Sequence, residues 1–257
     1  MHNQPTIRFL IPLLFGLICV PISLFAQEKG IDMEEREAYL FKLRKDNWAI
    51  FSHWADQNNP LVDTFHQKLI ETLSLEESFD YPFDSLKTEI GIQTSGDGKL
   101  KVYSWYHSYG GNWHDIRSFA QYKTPQSFDT LSLHSGYTEG DKISNDVSYG
   151  PIQTILTPKG LIYLLRGWGT HGSGHHHLTM RAFRIRGGKL EECEGIFDGN
   201  TYLVQEIPRG DELDLAYNPE NNSISYSEYK MNEDEGFYEP TGNIIVLKWD
   251  GEKFSRK

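Results

Sequence analysis

Ten histidines occur in the chain, and four of them, His171, His175, His176 and His177, fall between Gly160 and Lys189. In an extended segment His175 and His177 point to one side, because strand side chains alternate. Two imidazoles placed that way can share a zinc or copper ion, and His171 could join them across the Gly172-Ser173-Gly174 link. His107, His114 or Asp115 could approach from another loop. Catalytic zinc takes three protein ligands plus water, so the chemistry implied is a metal-dependent, hydrolase-like reaction. The plainer reading is a polar hairpin loop whose histidines share no ligand.

Two other motifs in the same stretch fail on context. Gly167-Trp168-Gly169-Thr170-His171-Gly172 follows an apolar strand and matches the three-glycine dinucleotide pattern. That chemistry needs a helix to begin at the glycines, so that its first amides meet a pyrophosphate. Histidines and the alternation Leu178, Met180, Ala182 follow instead, which predicts a strand. Gly172-Ser173-Gly174 is no nucleophile elbow, since the positions two residues either side of the serine hold His171 and His175 rather than glycine.

Lys159, Arg166, Arg181, Arg184, Arg186 and Lys189 place six cations around this stretch, with no Asp or Glu between Gly160 and Leu190. Together with glycine-rich backbone they could hold a carboxylate, sulfate or phosphate. Fourteen acids between Glu191 and Glu239 offer them a structural alternative. If Gly187-Gly188 is a two-residue hairpin loop, Ile185 faces Leu190, Arg184 faces Glu191, Ala182 faces Cys193 and Arg181 faces Glu194. That register makes Cys193 a small thiol beside Ala182 with no catalytic role.

Aromatic residues supply a third chemistry. Strand alternation places Tyr103, Trp105 and His107 on one face, and Tyr109, Trp113 and Trp168 sit in glycine-rich loops. Flat rings flanked by polar groups suit sugar rings, so Trp105, Tyr109, Trp113 and Trp168 are the candidate ligand-binding residues. Core packing is the competing use of strand aromatics. Asn232-Glu233-Asp234-Glu235-Gly236 carries oxygen ligands without the ordered spacing of a calcium loop, which makes it a solvated turn.

The elements that must position these residues follow from composition and periodicity. Arg8, the apolar run Phe9–Val20 and the small residue Ala26 have the layout of a cleaved secretory signal over residues 1–26. Pro12, Gly16, Pro21 and Ser23 interrupt the run, against a membrane anchor, and Ile18 before Cys19 is wrong for a lipoprotein. No transmembrane segment is expected in the mature chain, which is placed in the periplasm or outside the cell. The net charge of −11 disfavours nucleic acid and anionic membrane surfaces as partners. Only Cys193 remains after the signal, so no intramolecular disulfide is available.

Residues 27–87 carry a helical pattern. Asp32 and Glu35 form a capping-box pair, Leu40, Leu43, Phe51 and Trp54 follow at near-helical spacing, and Asn58-Asn59-Pro60 ends the helix. Leu61, Phe65, Leu69 and Leu73 mark a second helix in steps of four. Residues 88–257 switch to short strands with turns at Gly96-Asp97-Gly98, Pro158-Lys159, Gly187-Gly188, Asn218–Asn222 and Asp250-Gly251. The fold class expected is mainly β, an antiparallel meander with barrel, propeller and sandwich closures all open, preceded by a short helical hairpin.

Tyr81-Pro82-Phe83-Asp84-Ser85-Leu86, the hairpin from Thr94 to Trp105 and Phe119-Ala120-Gln121-Tyr122-Lys123 resemble a group of uncharacterised secreted β-rich bacterial proteins. The resemblance implies export and a β architecture, and it brings no activity. The function expected is a non-enzymatic β-rich binding or structural protein, taking a small molecule or glycan through loop aromatics, with no cofactor. The alternative is the zinc- or copper-dependent protein built on His171, His175 and His177.

Overall fold

The computed structural model describes residues 32–51, 60–108, 114–133, 146–170 and 174–256, which belong to one compact unit, Asp32–Lys257. The expected signal over residues 1–26, Trp54, Asn58-Asn59, Tyr109, Trp113, His171 and Gly172-Ser173 fall outside the described residues. Helix α1 (Met33–Phe51) begins after Asp32, whose carbonyl accepts the Arg36 N–H at 3.0 Å. Helix α2 (Pro60–Leu73) opens on a proline, which loses nothing at a first-turn position where the N–H is unused. Phe65, Leu69 and Leu73, four apart, are fully buried, and Leu40 and Leu43 of α1 are buried beside them. Each such apolar side chain contributes about 1.5–3 kcal/mol by leaving water. A one-turn helix α3 (Glu77–Asp80) follows.

The remainder is three antiparallel sheets. Sheet I runs in chain order through β1 (Gly91–Thr94), β2 (Leu100–Ser108), β3 (His114–Lys123) and β4 (Phe128–Ser132). Sheet II contains β5 (Ser148–Tyr149), β6 (Gln153–Thr157), β7 (Gly160–Thr170), β8 (His175–Arg186), β9 (Lys189–Glu192) and β10 (Tyr202–Pro208), ordered β10-β8-β7-β5 with β6 also on β7 and β9 also on β8. Sheet III holds β11 (Ala216–Asn218), β12 (Ser223–Asn232), β13 (Phe237–Trp249) and β14 (Phe254–Arg256), again in chain order.

Strand alternation decides how these layers stack. Tyr103, Trp105 and Phe119 on one face of sheet I pack with Leu40, Phe65 and Leu69 of the helices. Leu100, Val102, Ala120 and Tyr122 on the other face meet Tyr163, Leu165 and Phe183 of sheet II. Leu164, Leu178, Met180 and Ala182, on the opposite side of sheet II, meet Ile224, Leu247 and Phe254 of sheet III. Sheet II is therefore covered on both faces, and its central strands β7 and β8 are apolar on both sides.

Buried polar side chains tie the layers together. Gln121, fully buried, donates to the Leu73 carbonyl at 2.6 Å and to Ser78 Oγ at 2.7 Å, and it accepts from Tyr103 Oη at 2.6 Å. Ser118 Oγ donates to the Val147 carbonyl at 2.6 Å, and the Tyr149 amide donates to Ser104 Oγ at 3.1 Å. Asp97, in the glycine turn after β1, accepts from Tyr163 Oη of sheet II at 2.9 Å. Among the described residues no helix is long and apolar enough to cross a membrane.

Candidate ligand-binding cleft and the histidine strand

The glycine-histidine stretch is mostly strand. β7 continues through Gly167, Trp168, Gly169 and Thr170, and β8 resumes at His175. Trp168 is therefore a strand residue rather than a loop residue, half-buried and 5.2 Å from the His176 ring. The two glycines give way to neighbours on one sheet face. A Cβ on Gly167 would lie 2.6 Å from Thr179 Oγ1 and 2.7 Å from Val147 Cγ2. One on Gly169 would lie 2.2 Å from His177 Cε1 and 2.3 Å from the Asp146 carbonyl oxygen. The glycine spacing that imitates a nucleotide loop serves close packing across β7 and β8.

The histidines separate by strand parity. His177 is 1% exposed and lies over Gly169. His175 Nε2 is 3.4 Å from Glu206 Oε2 on β10, and its ring lies 5.4 Å from Tyr238. His176 points to the opposite face, beside Trp168. Burial pushes the Glu206 carboxyl up to about 7. Among the described residues no three His, Cys, Asp or Glu side chains gather to hold a metal ion, and His171 lies outside them. Strand β10, which supplies Glu206, has a sequence signal in the alternation Leu203, Gln205, Ile207, all three buried.

Trp105 is 2% exposed in the core between sheet I and the helices, with Phe65 and His66 at 6.5 and 5.5 Å. It has no surface to offer a sugar. Strand parity places Tyr103 and Trp105 on one face, and the helices cover that face. Of the four aromatic candidates, Trp168 remains half-accessible, and Tyr109 and Trp113 fall outside the described residues.

The hairpin at Gly187-Gly188 borders a wide cleft. Both glycines have positive φ, +57° and +82°, which a tight two-residue turn requires. Ile185 pairs with Leu190 and Arg184 with Glu191, and the Cys193 amide donates to the Ala182 carbonyl at 2.8 Å. Arg181 departs from the expected partner. It engages Glu192 at 2.7 Å instead of Glu194, because Glu192 stands opposite Phe183 on the same sheet face while the chain leaves β9 after Glu192.

Beyond β9 the chain crosses over sheet III, with the Phe254 amide donating to the Ile196 carbonyl at 2.7 Å. The space between the hairpin, this crossing and the β13–β14 turn is a cavity of about 880 Å³. Arg184, Arg186 and Lys253 line it with Glu191, Glu194, Glu252 and Cys193. A pocket of about 320 Å³ shares Arg184 and Glu252 with it and adds Trp249 and Lys159. Desolvation raises the Cys193 thiol above its ordinary pKa, which keeps it protonated and unreactive.

The cations of the arginine-rich stretch have divided roles. Arg181 binds Glu192, Tyr149 Oη and the Leu133 carbonyl. Arg166 donates to the carbonyls of Leu215 and Leu213 at 2.6 and 2.9 Å. Lys159 makes an exposed contact with Glu252 at 3.3 Å. Arg184 faces Glu191 in register, yet its buried Nε has no hydrogen-bond partner among the described residues. Comparison with protein-family models, curated proteins and solved structures gives no match for this chain.

Proposed function

We propose that this chain is an exported, non-enzymatic β-rich protein that binds a polar small ligand, of glycan type, in the cleft beside the β8–β9 hairpin. The observation that carries the reading is the cleft's composition. Arginine and lysine donors and glutamate acceptors together line a cavity of about 880 Å³, and Trp249 lines the adjoining pocket. Sugar hydroxyls are donor and acceptor at once, so a mixed lining matches them, and an indole face supports the apolar side of a ring. The basic, apolar and small order of residues 1–26 and the resemblance to secreted bacterial proteins support export.

Intrinsic tryptophan fluorescence and calorimetry of the chain lacking residues 1–26, against a broad panel of oligosaccharides, test the proposal. Binding that weakens at least tenfold in Trp249→Ala and Glu194→Gln supports it. No response across the panel overturns it.

A second reading keeps the histidines. His175 beside Glu206, with His177 two positions along, supports a zinc- or copper-dependent hydrolase-like site completed by His171. Elemental analysis of untagged protein decides it. Stoichiometric metal, lost in His175→Ala, supports this reading. Protein purified metal-free, that takes up neither zinc nor copper on dialysis, overturns it.

A further inference from the structure

We infer that Arg184 is the specificity-determining residue of the cleft and that the ligand carries an oxyanion, such as the carboxylate of an acidic sugar, which the Arg184 guanidinium receives. The inference rests on the reading of the cleft as a glycan-type site.

Three observations converge on it. Arg184 lines both the large cavity and the pocket that holds Trp249, so a ligand spanning the two passes its guanidinium. Arg181 and Arg166 on the same two strands satisfy their guanidinium groups with protein acceptors, whereas Arg184 Nε is buried with no acceptor among the described residues. Nε itself is closed to solvent, so an oxyanion in the cleft meets the terminal guanidinium nitrogens of this partly buried side chain in a charge-assisted bond. Four glutamates share the cleft lining with Arg184, Arg186 and Lys253, and Glu191 stands opposite Arg184 in register. Glu192 is committed to Arg181 and Glu252 contacts Lys159, leaving Arg186 and Lys253 as further cations beside Glu191 and Glu194. The cleft therefore offers an anion the Arg184 fork, shared with the adjoining pocket that Arg186 does not line, with carboxylates in the lining for hydroxyl donors. Trp249, packed against Phe254 at 5.1 Å, lines the adjoining pocket together with Arg184.

The test compares uronic-acid oligosaccharides with their methyl esters, which keep the sugar and remove the charge. Calorimetry with the chain lacking residues 1–26 should show the acids binding at least tenfold more tightly than the esters. In Arg184→Gln that preference should fall below threefold, and Arg184→Lys, which keeps the charge and loses the fork, should lie between. Melting temperatures of both variants within a few degrees of the parent protein establish that the cleft is intact. Equal affinity for acid and ester, or a preference that survives in Arg184→Gln, overturns the inference and leaves glycan binding standing. Binding of neither acidic nor neutral oligosaccharides overturns both.

Discussion

Arg181 and Glu192 meet fork to fork: Nε donates to one carboxylate oxygen at 2.7 Å and Nη2 to the other at 2.9 Å. The guanidinium also lies over the Phe183 ring, 4.9 Å from its centre, and its remaining nitrogen reaches Tyr149 Oη and the Leu133 carbonyl. One side chain thus joins the β8–β9 hairpin to β5 and to the end of sheet I. Breaking a largely buried pair by removing one partner costs about 3–5 kcal/mol. Arg181→Ala and Glu192→Ala should each fall in that range in urea unfolding. A double-mutant cycle should return a coupling of about 1–3 kcal/mol. Glu194→Ala should change stability by less than about 0.5 kcal/mol. A larger coupling of Arg181 to Glu194 than to Glu192 would contradict the register.

The glycines of β7 should resist even one methyl group. Gly169→Ala sets a Cβ against His177 and the Asp146 carbonyl, and Gly167→Ala sets one against Thr179 and Val147. Overpacking of this kind costs about 1–3 kcal/mol. Gly96→Ala is the control, because nothing lies within 4 Å of its added Cβ. Urea midpoints should drop for the first two and hold for the third. Equal midpoints for all three would remove close packing as the reason for the glycine spacing.

Glu206 should make stability depend on pH in a defined direction. Its folded-state carboxyl is pushed up to about 7 from 4.5 by burial. Between these values the folded protein holds a proton that the unfolded chain has released. Stability is therefore fully present below about 4.5 and declines as pH rises through 7. Glu206→Gln should be more stable than the parent at pH 8, by on the order of 1–3 kcal/mol, and show no gain at pH 4.5. A parent-minus-variant difference that stays flat across this range would disprove the assignment.

Glu37 clasps α1 to the segment after α3. Its carboxylate accepts from Tyr81 Oη at 2.7 Å and from the amides of Ser85 and Leu86 at 2.7 and 2.9 Å. Glu37→Ala strands two amides and a hydroxyl, at about 2–4 kcal/mol, whereas Tyr81→Phe removes one bond at about 0.5–1.5 kcal/mol. The hydrogen bond to Glu37 pushes the Tyr81 phenol up to about 12. Ultraviolet titration should show one tyrosine returning toward 10 in Glu37→Gln. An unchanged titration curve would show that Glu37 does not hold Tyr81.

Several features were legible because their causes are local. Phe65, Leu69 and Leu73 spell a helix face through a spacing of four, and the Gly187-Gly188 turn sets the pairing of Arg184 with Glu191. The turns at Gly98 and Gly251 follow from positive φ, which glycine adopts without a steric penalty. Counted along the ladder from the turn, register alone points Arg181 to Glu194. The actual partner was set by the end of β9 and by the packing of Phe183 against sheet I. The two glycines that flank Trp168 read as a loop in sequence. Only the presence of His177 and Thr179 on the next strand shows why glycine belongs in a strand there.

The sequence by itself determined a mainly β chain, its turn positions and the face on which each strand residue lies, since these depend on periods of two and four and on backbone conformation. Tertiary structure decided which faces were covered. It buried Trp105 beneath two helices and gave Arg181 and Arg166 protein partners. It also brought Arg184 beside Trp249 and Glu252, residues from distant strands whose proximity no local period encodes. Burial and charge pairing are properties of what packs across a strand. They become visible only when the sheets are stacked.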